Sequence, residues 1–238
     1  MQNVMTIARR QLLSYFNGPA AYLVAVIVLG VVEIFFWSMF FLQGRASAGE
    51  MFNWFGYVMP FAASGLTMGL IAEERASGTI EVLLTMPVKE SEVILGKFLG
   101  AFGLFVVIVL LSVVNPIAVS TLGDLDWGPV ITGYLGLLLE GAAMIAVGLM
   151  CSSWTKNQLI SFFVSLTLIG FFGWLLPALS RFLVTGWIAT FLEAISFTHH
   201  LENMARGVID TRDLIYFVSI TAVGLVVSFQ ALESRRWS

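Results

Sequence analysis

Two carboxylates, Glu33 and Glu140, stand inside long apolar runs of the sequence. A charged side chain at the centre of a bilayer costs about 2.5–3.5 kcal/mol, and such residues usually face a bundle interior or a water-filled path. One interpretation is that both belong to a polar pathway, or to an inter-helix hydrogen bond that moves. The other is that each is protonated and bonded to a neighbouring Ser, Thr or backbone carbonyl. The residue types leave both interpretations open.

Other kinds of site chemistry find little support in this sequence. His199-His200 lacks the His-Glu-x-x-His spacing of a zinc site, so we expect surface histidines there. Lys97 follows Gly96 but precedes Phe98, and no Gly-x-x-x-x-Gly-Lys-[Ser/Thr] phosphate loop occurs. We therefore predict no catalytic residue, no metal and no cofactor bound by this chain.

The densest polar stretch reads EERASGTIEVLLTMPVKESEVILGK at residues 73–97 and lies between two apolar runs. Ser77-Gly78-Thr79 is typical of a chain break, and Ser77 or Thr79 could cap a following helix. The next residues, IEVLLTM, predict about two helical turns, which Pro87 then disrupts. The apolar side chains of this short helix predict either a docking surface or a hairpin that folds back onto lipid; they are Ile80, Leu83 and Leu84.

The elements that position these residues are membrane spans. The 238-residue chain is 58% hydrophobic and only 11% charged, whereas soluble domains carry about 25% charged residues. The net charge of −3 gives no reason to expect a nucleic-acid partner. Because a span needs about 20 apolar residues and must satisfy its own backbone, we predict an all-α integral membrane protein. The six predicted spans are 20–42, 51–72, 98–121, 130–150, 158–178 and 213–232.

Lysines and arginines between the spans predict the orientation. With the N terminus in the cytoplasm, eight of these residues fall on the inner side and four on the outer side. Three of the outer four belong to one long segment, where charge has less influence on topology. We therefore expect both termini and the stretch 73–97 to be cytoplasmic.

Two further segments flank the spans. Residues 3–17 place polar groups three or four apart, which favours a helix lying along the membrane surface over an extension of the first span. Asn17-Gly18-Pro19 would separate the two helices. Residues 179–212 contain GWIATFLEAISF, which is apolar but too short to cross. They predict one or two short re-entrant helices at the outer face, or a loop that only caps the bundle.

Small residues and a proline predict how the spans pack. Gly136, Gly141 and Gly148 mark the fourth span as one that approaches its neighbours closely. Asn115-Pro116 predicts a kink near the outer end of the third span.

The motif Glu-Glu-Arg-x-Ser-Gly-Thr-Ile-Glu-x-Leu-Leu-x-x-Pro, followed by Gly-Lys and set between the second and third of six spans, resembles the signature of ABC-2-type transporter permeases. The chain more narrowly resembles the gliding-motility-associated branch, and a branch serving copper-enzyme maturation is a close competitor. The matching stretches are TIARRQLLSYFNGPAAY, EERASGTIEVLLTMPV, GKFLGAF, TKNQ at 155–158 and RGVIDTRDLIYF at 206–217.

The resemblance implies roles for the charged stretch, as a cytoplasmic coupling helix that contacts a separate ATPase. It implies one ABC-2-type transmembrane domain over 1–238, with a surface helix at 3–17, a coupling segment at 73–97 and outer re-entrant helices at 179–212. The residues implied in coupling are Glu73, Glu74 and Arg75 at the base of the second span, Gly78, Thr79, Glu81, Leu83 and Leu84 at the ATPase contact, and Pro87 and Lys97 at the return into the third span.

The resemblance also implies partners and a location. We expect an ABC ATPase dimer carrying ATP and Mg, a second permease copy of the same or a related kind, and the lipid bilayer of a bacterial cytoplasmic membrane. The gliding branch implies an auxiliary membrane protein with an extracytoplasmic domain. Two alternatives stay open: a gradient-driven transporter or channel using Glu33 and Glu140, and an anchor that passes ATPase force to a surface machine without moving solute.

Overall fold

The computed structural model describes residues 2–44, 47–79, 89–182 and 186–233, and within these ranges the regular structure is entirely helical. A π-helical turn lies at Phe171–Leu175. The α-helices are α1 Gln2–Asn17, α2 Ala20–Gln43, α3 Gly49–Thr67, α4 Ala72–Ala76, α5 Glu90–Leu111, α6 Val114–Leu122, α7 Trp127–Trp154, α8 Gln158–Gly170, α9 Leu176–Phe182, α10 Trp187–Ala194, α11 Phe197–Ala205 and α12 Thr211–Glu233.

Within the described ranges, six helical segments are long and apolar enough to cross a membrane, which confirms the predicted number of spans. The second, third and fifth spans are interrupted rather than straight, because α3 and α4, α5 and α6, and α8 and α9 each form one segment. The spans of α3 and α7 are the most buried, whereas α2 and α12 lie at the periphery with long apolar faces exposed.

Close helix packing around α7 follows from its glycines. A Cβ at Gly141 would lie 2.1 Å from the Phe105 ring, and one at Gly148 would lie 2.1 Å from Thr67 Oγ1. At Gly136 the nearest atom, in Met204, is 3.0 Å away. The predicted role of these three glycines in tight packing is confirmed.

The two predicted chain breaks are also present. Helices α1 and α2 are separate, with Gly18 and Pro19 between them; the position of α1 on a membrane surface stays a prediction. Ser112 and Val113 separate α5 from α6, and Pro116 lies in the first turn of α6, where its missing N–H leaves no helical bond unmade.

The segment predicted to be re-entrant contains two short helices, α10 and α11. Helix α11 lies against α3 and α7, and it buries Phe197, Leu201 and Met204. The π-helical turn contacts the same helix, since the Thr198 hydroxyl donates to the carbonyl oxygen of Gly173. How deeply these helices enter a bilayer stays a prediction.

Candidate functional site

Five of the predicted coupling residues line or adjoin one polar cavity, which we call the junction cavity. It has a volume of about 430 Å³ and lies where α1, the α3–α4 turn, α5 and α8 meet. Glu73, Glu74, Thr79 and Lys97 line it, together with Gln158 at the start of α8. Arg75 lies in the same short helix α4 and is also buried. The structure therefore brings both ends of the charged stretch together.

Lys97 is the most buried charge of the junction, with 4% of its surface exposed. Its Nζ lies 2.8 Å from Glu74 Oε1 and donates to the carbonyl oxygen of Leu70 at 2.5 Å. A buried ammonium is tolerated only when it is paired and hydrogen-bonded. Lys97 therefore ties the first turns of α5 to the turn between α3 and α4.

The α3–α4 turn is also held by the C-terminal end of α7. Ser152 Oγ accepts from the backbone N–H groups of Ile71 and Ala72, each at 3.1 Å, and lies 3.1 Å from the carbonyl oxygen of Met68. Arg75 donates to the carbonyl oxygen of Ser153. These bonds satisfy backbone groups that the end of α3 leaves free, and they join the second and fourth spans.

Helix α1 seats on α5 through glycines. A Cβ at Gly96 would lie 2.7 Å from Ile7, and one at Gly100 would lie 2.6 Å from Gln11 Cβ. The spacing of four residues places both glycines on one face of α5. Because neither carries a side chain, the backbone of α1 approaches α5 directly.

Polar contacts hold both ends of α1. Tyr15 donates its phenol hydrogen to the carbonyl oxygen of Leu66 at 2.5 Å. Desolvation raises the pKa of Tyr15 above its ordinary value, so the phenol keeps the proton that this bond needs. Near the other end, Asn3 Nδ2 donates to Glu92 Oε2 at 3.1 Å. Helix α1 is thus part of the junction.

Residues 77–78 form a turn directly after α4. Gly78 has φ +73°, a conformation that favours glycine. Ser77 Oγ lies 3.0 Å from the Glu73 carbonyl oxygen and Thr79 Oγ1 lies 3.3 Å from that of Glu74, so both hydroxyls bond back to α4. Capping of a later helix stays a prediction, and the remaining predicted coupling residues, Glu81, Leu83, Leu84 and Pro87, lie outside the described residues.

Sequence reasoning missed several parts of the junction. Gly-x-x-x-Gly at 96–100 is a signal for close helix packing that could have located the seat of α1. Ser152 and Ser153 carry no such signal, because a serine in an apolar helix ordinarily bonds its own backbone. Asn157, in the TKNQ stretch, caps α8 by accepting from the N–H groups of Leu159 and Ile160.

The two intramembrane carboxylates have different surroundings. Glu33 Oε1 accepts from Asn115 Nδ2 at 2.6 Å, and Oε2 accepts from Trp37 Nε1 at 2.9 Å. Asn115 lies beside the α5–α6 break, so Glu33 fastens α2 to that break. Glu140 is 1% exposed, and neither of its oxygens has a hydrogen-bond partner among the described residues. The Ser, Thr or carbonyl partner considered for Glu140 is absent from that part of the chain.

The expectation that both His199 and His200 lie at the surface is wrong for His200. Its side chain is buried, and its Nδ1 contacts Asp213 Oδ1 in the first turn of α12. Sequence periodicity could have indicated this: Phe197, His200, Leu201 and Met204 share one face of a helix.

Comparison with known proteins identifies a family for this chain. A family model described as ABC-2 family transporter protein matches residues 43–229. No curated protein matches the chain. The matched range includes α3, α4, α5 and α7, which form most of the junction. It also includes the His200–Asp213 contact, whereas α1 lies before the matched range.

Proposed function

The chain belongs to the ABC-2 family of transporter proteins and is a membrane permease component of an ABC transporter; on that premise we propose that a separate ATPase docks at the junction and drives export. ATP and Mg would be held by that ATPase, since this sequence has no phosphate-binding loop of its own. The ATPase contact would be formed by Gly78, Thr79, Glu81, Leu83 and Leu84, while Pro87 and Lys97 would fix the return into the third span.

The observation that carries the proposal is the bonding of Lys97. Residues 73–79 and 89–97 flank the docking segment on its two sides, and Lys97 joins those flanks through Glu74 and Leu70. Arg75 and Ser152 attach the same place to α7. A force on the docking segment would therefore reach the second, third and fourth spans together, rather than bending one loop.

The proposed cycle follows from this attachment. ATP binding closes two ATPase subunits, the junctions of two permease copies move with them, and the permeases tilt to open a path outward. Helix α1 would move as part of each junction, because its backbone lies directly on Gly96 and Gly100. The second permease copy is identical to this chain or related to it, and the exposed apolar faces of α2 and α12 offer area for it or for lipid.

The proposed location is a bacterial cytoplasmic membrane with both termini and the junction on the cytoplasmic side. The excess of lysine and arginine on that side supports it. The likeness of 206–217 and of the N-terminal stretch to the gliding-associated branch supports a further partner, an auxiliary membrane protein with an extracytoplasmic domain.

The test is co-purification of the ATPase with the full-length chain in mild detergent. Glu81→Arg and the pair Leu83→Asp/Leu84→Asp should lose the ATPase, while the wild-type chain retains it and the complex hydrolyses ATP. Asp124→Arg is the matched control, because Asp124 is exposed near the start of α7, at the other end of that helix from the junction. A co-expressed ATPase that fails to copurify with the wild-type chain would overturn the proposal.

Glu140 supports a second candidate, a gradient-driven transporter, because its buried carboxyl lacks a partner among the described residues. Glu140→Gln should abolish transport in that case and leave it unchanged if ATP alone drives the cycle. Glu33→Gln serves as the comparison, since Glu33 is already bonded to Asn115 and Trp37. The anchor alternative predicts ATP hydrolysis in the complex with no solute moved in either variant or in the wild type.

A further inference from the structure

Helix α11 closes the end of the bundle opposite the junction. The Leu201 side chain packs against Gly56 of α3, and Met204 packs against Gly136 of α7. Thr132 Oγ1 donates to the carbonyl oxygen of Met204 at 2.6 Å. Any path that opens at this end must therefore displace α11 or pass beside it.

A buried polar contact joins α11 to the first turn of α12, next to the stacked rings of Phe197, Tyr216 and Phe217. His200 Nδ1 lies 2.5 Å from Asp213 Oδ1, and His200 Nε2 lies 3.0 Å from the carbonyl oxygen of Ala194. Only 6% of His200 and 2% of Asp213 is exposed. We call this arrangement, His200 with Asp213 and the Ala194 carbonyl, the histidine latch.

The protons of the latch can be counted from its acceptors. A carbonyl oxygen only accepts, so His200 Nε2 must carry a hydrogen. A second hydrogen must lie between Nδ1 and Asp213 Oδ1, because two bare lone pairs would repel at that distance. The closed latch is therefore imidazolium with carboxylate, or imidazole with carboxylic acid, and either form is neutral overall.

Loss of one proton breaks the arrangement in either tautomer. If Nε2 keeps its hydrogen, the Nδ1 lone pair faces the Asp213 carboxylate; if Nδ1 keeps it, the Nε2 lone pair faces the Ala194 carbonyl. The pair also gains a net negative charge in a buried place, which is costly without a partner. The latch therefore needs its proton in order to close.

No neighbouring cation replaces that proton in the described part of the chain. Asp213 Oδ2 has no partner there, and the ring stacked on His200, at 4.0 Å between centroids, is the neutral Tyr216. His199 contacts His200 edge-on at 5.7 Å. The other titratable groups around these elements are Glu140 on α7, the half-buried Glu202 and Asp210, and the exposed Arg206 and Arg212.

We propose that His200 and Asp213 form a proton-binding site that fastens α11 to α12 when the proton is bound and releases α11 when it leaves. Because the closed state binds one more proton than the open state, the ratio of open to closed rises with pH by up to tenfold per unit. Acid therefore favours a closed end of the bundle and alkali favours an open one. This site does not depend on the docking of an ATPase.

The test measures the access of a maleimide to a buried thiol in the purified full-length protein. Cys151 is the sole cysteine and is changed to Ser; Ser196→Cys then places a thiol at the start of α11, where Ser196 is fully buried. Val208→Cys, at an exposed position, is made separately and corrects for the effect of pH on thiol reactivity. The corrected labelling rate at residue 196 should rise at least tenfold between pH 6 and pH 9.

Two variants separate the latch from general loosening. In Asp213→Asn the amide can donate to Nδ1 while Nε2–H donates to Ala194, so the latch closes without the extra proton and labelling should stay slow at every pH. In His200→Gln labelling should be fast at every pH. A wild-type rate that does not change with pH, or an Asp213→Asn rate that rises as the wild type does, would overturn the proposal.

Discussion

The two ends of the bundle each join helices through an ionisable pair, but the pairs are built differently. At the junction, Lys97 meets Glu74 and a backbone carbonyl, and Ser152 and Arg75 reinforce the same place. At the opposite end, His200 meets Asp213 with both ring nitrogens already engaged. An unperturbed lysine loses its proton only well above neutral pH, whereas an unperturbed histidine changes charge near it. The junction is suited to transmit force, and the latch is suited to release.

The largest expected effect comes from removing the charge of the junction. Lys97→Met leaves the Glu74 carboxylate without its cation and Leu70 without its donor. Breaking a buried pair on one side costs about 3 kcal/mol; the loss here should be smaller, because the Glu74 side chain is 34% exposed, yet large enough to lower the unfolding temperature in detergent clearly. The double variant Glu74→Gln/Lys97→Met should recover part of that loss; equal losses in the two proteins would contradict the comparison.

A smaller effect is expected from adding a methyl group at Gly100, where α1 packs on α5. Gly100→Ala places a methyl group 2.6 Å from Gln11 Cβ and 2.9 Å from the backbone oxygen of Ala8, and overpacking of this kind costs about 1–3 kcal/mol. The measurement is the temperature of unfolding, together with the rate at which protease cleaves within α1.

Two other glycines serve as comparisons for Gly100→Ala, one at the junction and one at the opposite end of the bundle. They test whether the junction tolerates added volume less well than the opposite end. Gly103→Ala meets Leu12 at 3.6 Å, an ordinary contact, and should cost nothing measurable. Gly136→Ala meets the flexible Met204 at the opposite end and should cost less than Gly100→Ala. A larger loss for Gly136→Ala would reverse the assignment of the rigid end.

The smallest expected effect compares two tyrosine hydroxyls. Tyr15 donates to Leu66 at the junction, and Tyr216 donates to Ile195 beside the latch. Phenylalanine at either position removes one hydrogen bond and should lower the free energy of unfolding by about 1 kcal/mol. Only Tyr15→Phe should make α1 easier to cleave, and cleavage of α1 in Tyr216→Phe at the same rate would show that the two ends are coupled.

The spans could be predicted because composition and length decide them. The breaks at Gly18-Pro19 and near Pro116 followed from proline and glycine chemistry. The partners of Lys97, Arg75 and Ser152 could not be predicted, because those contacts join residues about 23 to 84 positions apart and depend on how the spans pack. His200 was wrongly predicted at the surface because the prediction used only the residue types and spacing of the His-His pair. The helical face that His200 shares with Leu201 would have indicated burial.

The wide turn at Phe171–Leu175 adds backbone to one span without adding a full helical turn. Each residue of an α-helix advances its side chains by about 100° around the axis. A π-helical turn takes up one extra residue while the α-helix on either side keeps its register. Deleting one residue within this turn would therefore restore ordinary α-helical bonding and leave Ser180 and Arg181 near their present azimuth. The carbonyl oxygen of Gly173, which accepts from Thr198, lies within the turn, so the deletion would disturb the contact between this span and the closing helix α11.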